Sequence, residues 1–277
     1  MASTPPPRRV ALVTGAARGI GRGIALRLAA DGLDVALNDL PSSAPELADV
    51  ARAIERAGRR AVAVPADVSC EPDVARMIAD AVAALGALDV MVANAGIACP
   101  GGVLETSLDD FERVQATNVR GTFLCYKYAA RQMVAQGRGG RIIGACSRAG
   151  KQAQAHVFAY STSKFAVRGM TQAAAGELAK HRITVNAYAP GTIETDLLQS
   201  IRATPSGGAY DAPNSPLGRY GTPADVAALV SYLSSSDASF ITGTHTSTPF
   251  RLRALTDFEK KKNAGQTVSV NGGIYFD

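Results

Sequence analysis

The sequence predicts a single-domain α/β fold built on a doubly wound parallel sheet of about seven strands. Two observations predict it. Short apolar runs alternate about six times with longer segments whose apolar residues recur at spacings of three and four, the signatures of buried strands and amphipathic helices. The first apolar run also ends in a glycine-rich turn, "TGAARGIG" at 14–21, that opens a helical segment. That is the layout of a Rossmann-type nucleotide-binding unit.

The strands follow in order. "RVALVTG" (9–15), "LDVALND" (33–39), "RAVAVPAD" (60–67), "LDVMVANAG" (88–96), "GRIIGACS" (140–147) and "ITVNAYAP" (183–190) are near-continuous apolar runs, as strands covered on both faces require. "QTVSVNGG" (266–273) is the last strand. Helices are expected at "GIGRGIALRLAADG" (19–32), "PDVARMIADAVAALG" (72–86) and "SKFAVRGMTQAAAGELAK" (163–180), each ending near a glycine or a basic residue. "DVAALVSYLSSSDASFITG" (225–243) is a further helix. Right-handed crossovers then place the carboxyl ends of all strands on one edge, where chemistry belongs.

Composition narrows the function classes. The chain of 277 residues is 47% hydrophobic with a net charge of +5, enough to bury one large core. A single stretch, Thr244 to Gly265, holds five basic and two acidic residues and so carries +3 of that charge. The basic balance is local, and nucleic acid is not an expected partner. Cys70, Cys99, Cys125 and Cys146 form no C-x-x-C, and His156, His181 and His245 complete no ligand pattern with them; no metal is expected, and the thiols read as reduced and cytoplasmic. Residues 1–8 read as a disordered leader rather than a signal peptide. No apolar run approaches the roughly 18 residues of a membrane span, so no membrane partner is expected.

Gly15, Gly19 and Gly21 stand where a backbone can approach a pyrophosphate and a helix N-terminus can face it. Tight packing alone would also place glycines there. Asp39 ends the second strand 20 residues after Gly19; a carboxylate there binds ribose hydroxyls and repels a 2′-phosphate, although strand-end turns also use Asp. Arg18 pulls toward NADP, because a guanidinium beside the cradle can hold that phosphate. Leu40 supplies no second cation. NAD is the expected cofactor, with NADP as the alternative.

Tyr160 and Lys164 in "YSTSK" are four apart and therefore neighbours on a helix. Ser147 lies 13 residues earlier, at the end of the fifth strand. A phenol of pKa about 10 exchanges protons near neutrality only if a nearby cation lowers it. Tyr160 could then move the proton of a carbonyl/alcohol pair while hydride is exchanged with a nicotinamide, and Ser147 would hold the substrate oxygen.

Together these residues resemble the short-chain dehydrogenase/reductase family over nearly the whole chain. The glycine turn matches, as does Asp67–Val68 in "PADV", the adenine contact. "ANAG" (93–96) matches the family's N-N-A-G with Ala93 in place of the first Asn, bringing Asn94, Ala95 and Gly96 to the cofactor. Asn118 in "ATNVRGTF" matches the Asn that holds a water between Lys and solvent. Ser147, Tyr160 and Lys164 complete that tetrad. "PGTIET" (190–195) matches the loop that meets the nicotinamide carboxamide. The resemblance thus implies catalytic Asn118, Ser147, Tyr160 and Lys164. It implies cofactor contacts from Gly15, Arg18, Gly19, Ile20, Gly21, Asp39, Asp67, Val68, Asn94, Ala95, Gly96, Tyr160, Lys164, Pro190, Gly191, Ile193 and Thr195.

"GACSRAG", "YSTSKFAVRGMTQAAAGELA" and "ITVNAYAPGTIETDLL" are most similar to diacetyl/acetoin reductases, also described as butanediol dehydrogenases. The resemblance implies a small diketone or hydroxyketone as substrate and a homotetramer or homodimer. Two readings stand beside it: an NADP-dependent reductase of 3-oxoacyl thioesters or sugars, and a non-catalytic dinucleotide sensor. The segment 196–216 is the expected substrate lid. His156 reads as a surface residue at a helix start and Cys146 as a small buried one. Thr244 to Gly265 interrupts the family pattern, since joining Gly243 to Gln266 restores "ASFITGQTVSVNGG". It reads as an insertion in a 9–277 domain, either genuine or translated intron, at the amino end of the last strand. There it would disturb assembly more than chemistry.

Overall fold

The computed structural model describes residues 8–202, 215, 217–243 and 267–270. The expected leader 1–8, except Arg8, lies outside these residues, as do most of the lid and the whole of 244–265.

Among the described residues, seven parallel strands form one sheet in the order β3-β2-β1-β4-β5-β6-β7. The strands are β1 (Val10–Thr14), β2 (Asp34–Asn38), β3 (Ala61–Ala63), β4 (Val90–Ala93), β5 (Gly140–Ala145), β6 (Ile183–Pro190) and β7 (Thr267–Val270). The helices are α1 (Gly19–Ala30), α2 (Ala44–Arg56), α3 (Glu71–Leu85), α4 (Leu108–Gln115), α5 (Gly121–Gln136), α6 (Phe158–Leu178), α7 (Asp196–Arg202) and α8 (Pro223–Ser234). The strand order reverses between β1 and β4, so their carboxyl ends flank the switch point of the sheet.

Alternation along β1 divides the core. Leu12 packs with residues of α3 and α5, whereas Ala11 and Val13 pack with α1, α2 and α8. Both faces of the sheet are covered, which is why its central strands read as unbroken apolar runs.

Two expected elements are shorter than their sequence pattern. The run 60–67 makes only three strand residues, and they are half-buried or exposed rather than buried on both faces. β3 is an edge strand, and beyond Ala63 the Asn38 amide takes over from the ladder. Its Nδ2 donates to Val64 O at 3.0 Å and to Ala66 O at 3.1 Å. The helix expected over 225–243 ends at Ser234. Ser235 Oγ donates to Tyr232 O at 2.7 Å and accepts from Asp237 N at 3.1 Å, offering the backbone a local alternative to helix. At its other end, Thr222 and Asp225 form a reciprocal capping box.

After α8 the chain returns to the sheet at its amino edge. Gly243 N donates to Val185 O at 3.2 Å, and Thr267 stands opposite Ala187 in β7. Gly243 and Thr267 therefore meet β6 at positions two residues apart.

Candidate active site

The glycine turn after β1 has the backbone its residues demand. Gly15 and Gly19 adopt φ of 65° and 54°, which side chains disfavour. A Cβ on Gly21 would stand 1.9 Å from Gly15 O, so only hydrogen lets α1 start so close to the strand. α1 has no side-chain cap and no acid in its first turn. Its first N–H groups face the crevice as donors for an anion.

Asn94 fastens this turn to β4. Its Nδ2 donates to Thr14 O at 2.8 Å, and its Oδ1 accepts from Tyr188 Oη at 2.7 Å. Thr14 Oγ1 accepts from Asn94 N and Ala95 N, both at 3.0 Å. Asp39 Oδ2 accepts from Ala17 N at 3.1 Å and its Oδ1 from Leu40 N at 2.9 Å. Asp67 Oδ1 accepts from Ser69 N and Ser69 Oγ, both at 2.8 Å. Gly15, Arg18, Gly19, Ile20, Gly21, Asp39, Asp67, Val68, Asn94, Ala95, Gly96 and Thr195 line one crevice. The exposed Arg18 guanidinium lies near Asp196, Nε to Oδ2 at 3.9 Å.

A second cavity continues the first, and the two share Ile20, Asn94, Gly96, Thr195 and Leu197. Ser147, Tyr160, Lys164, Pro190, Gly191 and Ile193 line it. α6 carries Tyr160 and Lys164 one turn apart, with the Lys164 Nζ 5.4 Å from the centre of the Tyr160 ring. Lys164 is buried and its Nζ donates to Ala145 O at 2.8 Å. Burial pushes its ammonium down to about 8. Ser147 Oγ accepts from Ala149 N at 3.1 Å, fixing the side chain at the end of β5.

Asn118 lies in a π turn, Ala116–Arg120, that joins α4 to α5, a distortion frequent at functional sites. Its Oδ1 accepts from Ile97 N at 2.9 Å, and its Nδ2 donates to Ile97 O at 2.8 Å and Ser163 Oγ at 3.0 Å. The structure brings 18 of the 19 predicted site residues to the crevice walls, and Asn118 lies behind them, bonded to Ile97 and to Ser163 beside Lys164. The 192–195 loop is strapped by Gly221, whose N donates to Thr192 O at 3.0 Å and whose O accepts from Glu194 N at 2.9 Å. Of the lid, α7 is described, and its Leu197, Leu198 and Ile201 face the cavity. His156 is exposed with φ of 61°, just before α6, and Cys146 is buried.

Sequence reasoning missed Tyr188, Arg148, Gln154 and the Ala145 carbonyl. Tyr188 was hidden inside an apolar strand run and Gln154 carried no signal. Arg148 was signalled by its place after Ser147. Among the described residues no group of three His, Cys, Asp or Glu could hold a metal, and no helix is long and apolar enough to cross a membrane.

A family profile described as enoyl-(acyl carrier protein) reductase matches residues 15–248. A short-chain dehydrogenase/reductase of Armillaria gallica is 49% identical over 283 residues, covering 100% of both chains. The L-2,3-butanediol dehydrogenase of Corynebacterium glutamicum is 43% identical over 244 residues, covering 85% of this chain and 95% of its own. Among solved structures, a blue fluorescent protein from a metagenomic library in complex with NADPH matches with a TM-score of 0.81 at 34% identity, covering 97% of this chain and 98% of that one.

Proposed function

The chain belongs to the short-chain dehydrogenase/reductase family, and from that premise we propose that it interconverts a small diketone or hydroxyketone, of the diacetyl or acetoin kind, and its alcohol with NAD(H). It is an NAD(P)-dependent oxidoreductase acting on CH–OH groups. The observation that carries the reading is one cavity wall holding Ser147, Tyr160 and Lys164 and running into the glycine turn.

The crevice suits a dinucleotide by its own construction. The uncapped α1 N-terminus, with no acid in its first turn, and the Asp39 carboxylate offer partners for a pyrophosphate and a ribose. The bound nicotinamide supplies or accepts the hydride. Tyr160 gives its hydroxyl proton to the carbonyl oxygen during reduction and takes it back during oxidation. The Lys164 ammonium, 5.4 Å from the ring centre, favours the phenolate that results. Ser147, positioned by Ala149 N, donates its own hydroxyl to the substrate oxygen. Asn118 holds the Ile97 peptide and Ser163 in place behind Lys164. The carboxylate of Asp39 favours NAD over NADP. The name of the Corynebacterium relative supports the substrate class.

A second reading, reduction of a 3-oxoacyl thioester or a sugar with NADPH, draws on relatives named 3-oxoacyl-[acyl-carrier-protein] reductase and L-rhamnose 1-dehydrogenase and on the NADPH-bound structure. A non-catalytic sensor has less in its favour, because Asn118, Ser147, Tyr160 and Lys164 are all present. We place the protein in the cytoplasm as a homo-oligomer.

The test is NADH and NADPH oxidation with diacetyl, acetoin, sugars and an acetoacetyl thioester, for wild type and Tyr160→Phe. The variant should lose about 10²–10⁴-fold in kcat while NADH binding, followed by fluorescence, is retained. Unchanged turnover in Tyr160→Phe would overturn the assignment.

A further inference from the structure

The wall of the catalytic cavity includes a tyrosine that the proposed chemistry does not use. Tyr188 lines that cavity with Ser147, Tyr160 and Lys164, and it is fully buried. Its backbone is held in the sheet: it stands opposite Ala145 in the β5–β6 register, and its carbonyl accepts from Cys146 N at 2.9 Å. Its hydroxyl donates to Asn94 Oδ1 at 2.7 Å, 94 residues away. Asn94 lines both the catalytic cavity and the glycine crevice, so this bond runs from one into the other.

The Asn94 amide is limited to one orientation. Its Nδ2 donates to Thr14 O at 2.8 Å and to Gly15 O at 3.3 Å; a flipped amide would set its oxygen against those two carbonyls. Oδ1 therefore needs a donor, and among the described residues Tyr188 is the one that supplies it. A Cβ on Gly15 would stand 2.9 Å from this Nδ2, and one on Gly21 2.6 Å, so the amide is packed against the glycine turn itself. Burial pushes the Tyr188 phenol above its ordinary value. It keeps its proton, remains a donor and does not compete with Tyr160 as the acid.

We propose that Tyr188 is a positioning residue for the cofactor: its hydroxyl holds the Asn94 amide, and the amide holds the glycine turn in the shape that receives the dinucleotide. This rests on the reading above, in which that turn binds the cofactor's pyrophosphate. Without the hydroxyl, Asn94 Oδ1 loses its donor, and an unpaired acceptor costs more than the hydrogen bond it made. The amide then turns toward water in the crevice and releases Thr14 O and Gly15 O. The hydroxyl proton of Tyr188 is committed to Asn94, so the effect falls on cofactor affinity and not on hydride or proton transfer.

The experiment titrates NADH by fluorescence and measures diacetyl reduction in wild type, Tyr188→Phe, Asn94→Ala and the double variant. Tyr188→Phe should weaken NADH binding and raise the KM for NADH about tenfold. Its kcat at saturating NADH and its KM for diacetyl should stay within about threefold of wild type. Asn94→Ala should weaken NADH at least as much, and adding Tyr188→Phe to it should change the affinity less than about twofold, because the hydroxyl acts through the amide. Unchanged affinity in Tyr188→Phe, a loss confined to kcat, or two effects that multiply overturns the proposal. Should Tyr188→Phe fail to fold, Asn94→Asp supplies the test. Its carboxylate accepts from Tyr188 Oη but donates nothing to Thr14 O or Gly15 O, so NADH should again bind about tenfold more weakly; equal affinity overturns the proposal. A wild type that binds neither NADH nor NADPH fails the underlying reading, whereas a wild type that binds NADH beside an indifferent Tyr188→Phe sinks only this inference.

Discussion

The buried Lys164 ammonium donates to the carbonyl of Ala145 at 2.8 Å, 19 residues earlier in the chain. That single bond ties α6 to the end of β5, and it is made by a cation whose charge burial disfavours.

Lys164 therefore costs stability at neutral pH. Burial holds it at about 8 in the folded chain, below the ordinary 10.5 of a lysine, so the cost is full below pH 8 and is relieved as pH rises toward 10.5. Its size is about 3 kcal/mol, from 1.36 kcal/mol per pH unit. Lys164→Met should be inactive, and its stability relative to wild type should fall by up to about 3 kcal/mol between pH 7 and pH 10. Denaturant melts at those two pH values measure it; a constant gap would mean that Lys164 stays charged throughout.

Asn38 is a latch beneath the Asp39 and Asp67 end of the crevice. Its amide holds Val64 O and Ala66 O, joining the loop that bears Asp39 to the one that leads to Asp67. Asn38→Leu strands both carbonyls and should cost about 2–4 kcal/mol. NADH should bind more weakly, while kcat at saturating NADH stays within about threefold. Equal affinity in fluorescence titration would contradict the latch.

Two glycines give opposite expectations. Gly21→Ala places a methyl against Gly15 O, where the approach would be 1.9 Å, and should cost on the order of 3 kcal/mol and abolish NADH binding. Gly169→Ala, in the middle of α6 with nothing within 4 Å of the new carbon, should stabilise by about 1 kcal/mol. Thermal melts of both variants decide.

Asp39 should set the cofactor. Asp39→Asn removes the charge that repels a 2′-phosphate and should shift the NADPH/NADH ratio of kcat/KM upward by about tenfold. Arg18→Ala added to it should reverse most of that shift, since Arg18 is the nearby cation. No shift in steady-state kinetics would place discrimination elsewhere.

Deleting Thr244 to Gly265 should leave an in-register strand. Gly243 bonds at the level of Val185 and Thr267 pairs with Ala187, so one residue, Gln266, spans the join. We expect the deletion to keep turnover and to change the oligomeric state seen by light scattering. Lost turnover with intact assembly would reverse the expectation. Transcript sequencing separates a genuine insertion from retained intron.

Much of this protein could be read directly from its chain. Alternating periods fixed the wound parallel sheet, because strands buried on both faces must be apolar throughout. Gly15, Gly19, Gly21 and Asp39 marked the crevice, because left-handed turns and close approach tolerate few residues. Tyr160 and Lys164 were neighbours by helical geometry alone. What remained belonged to three dimensions. The edge position of β3 cut short a run that looked like a full strand. The π turn put Asn118 against Ile97 and Ser163, 21 and 45 residues away. Tyr188 read as core until its hydroxyl met Asn94. Periodicity and local sterics are written into neighbouring residues, but which side chains meet across a cavity is settled by packing between distant ones.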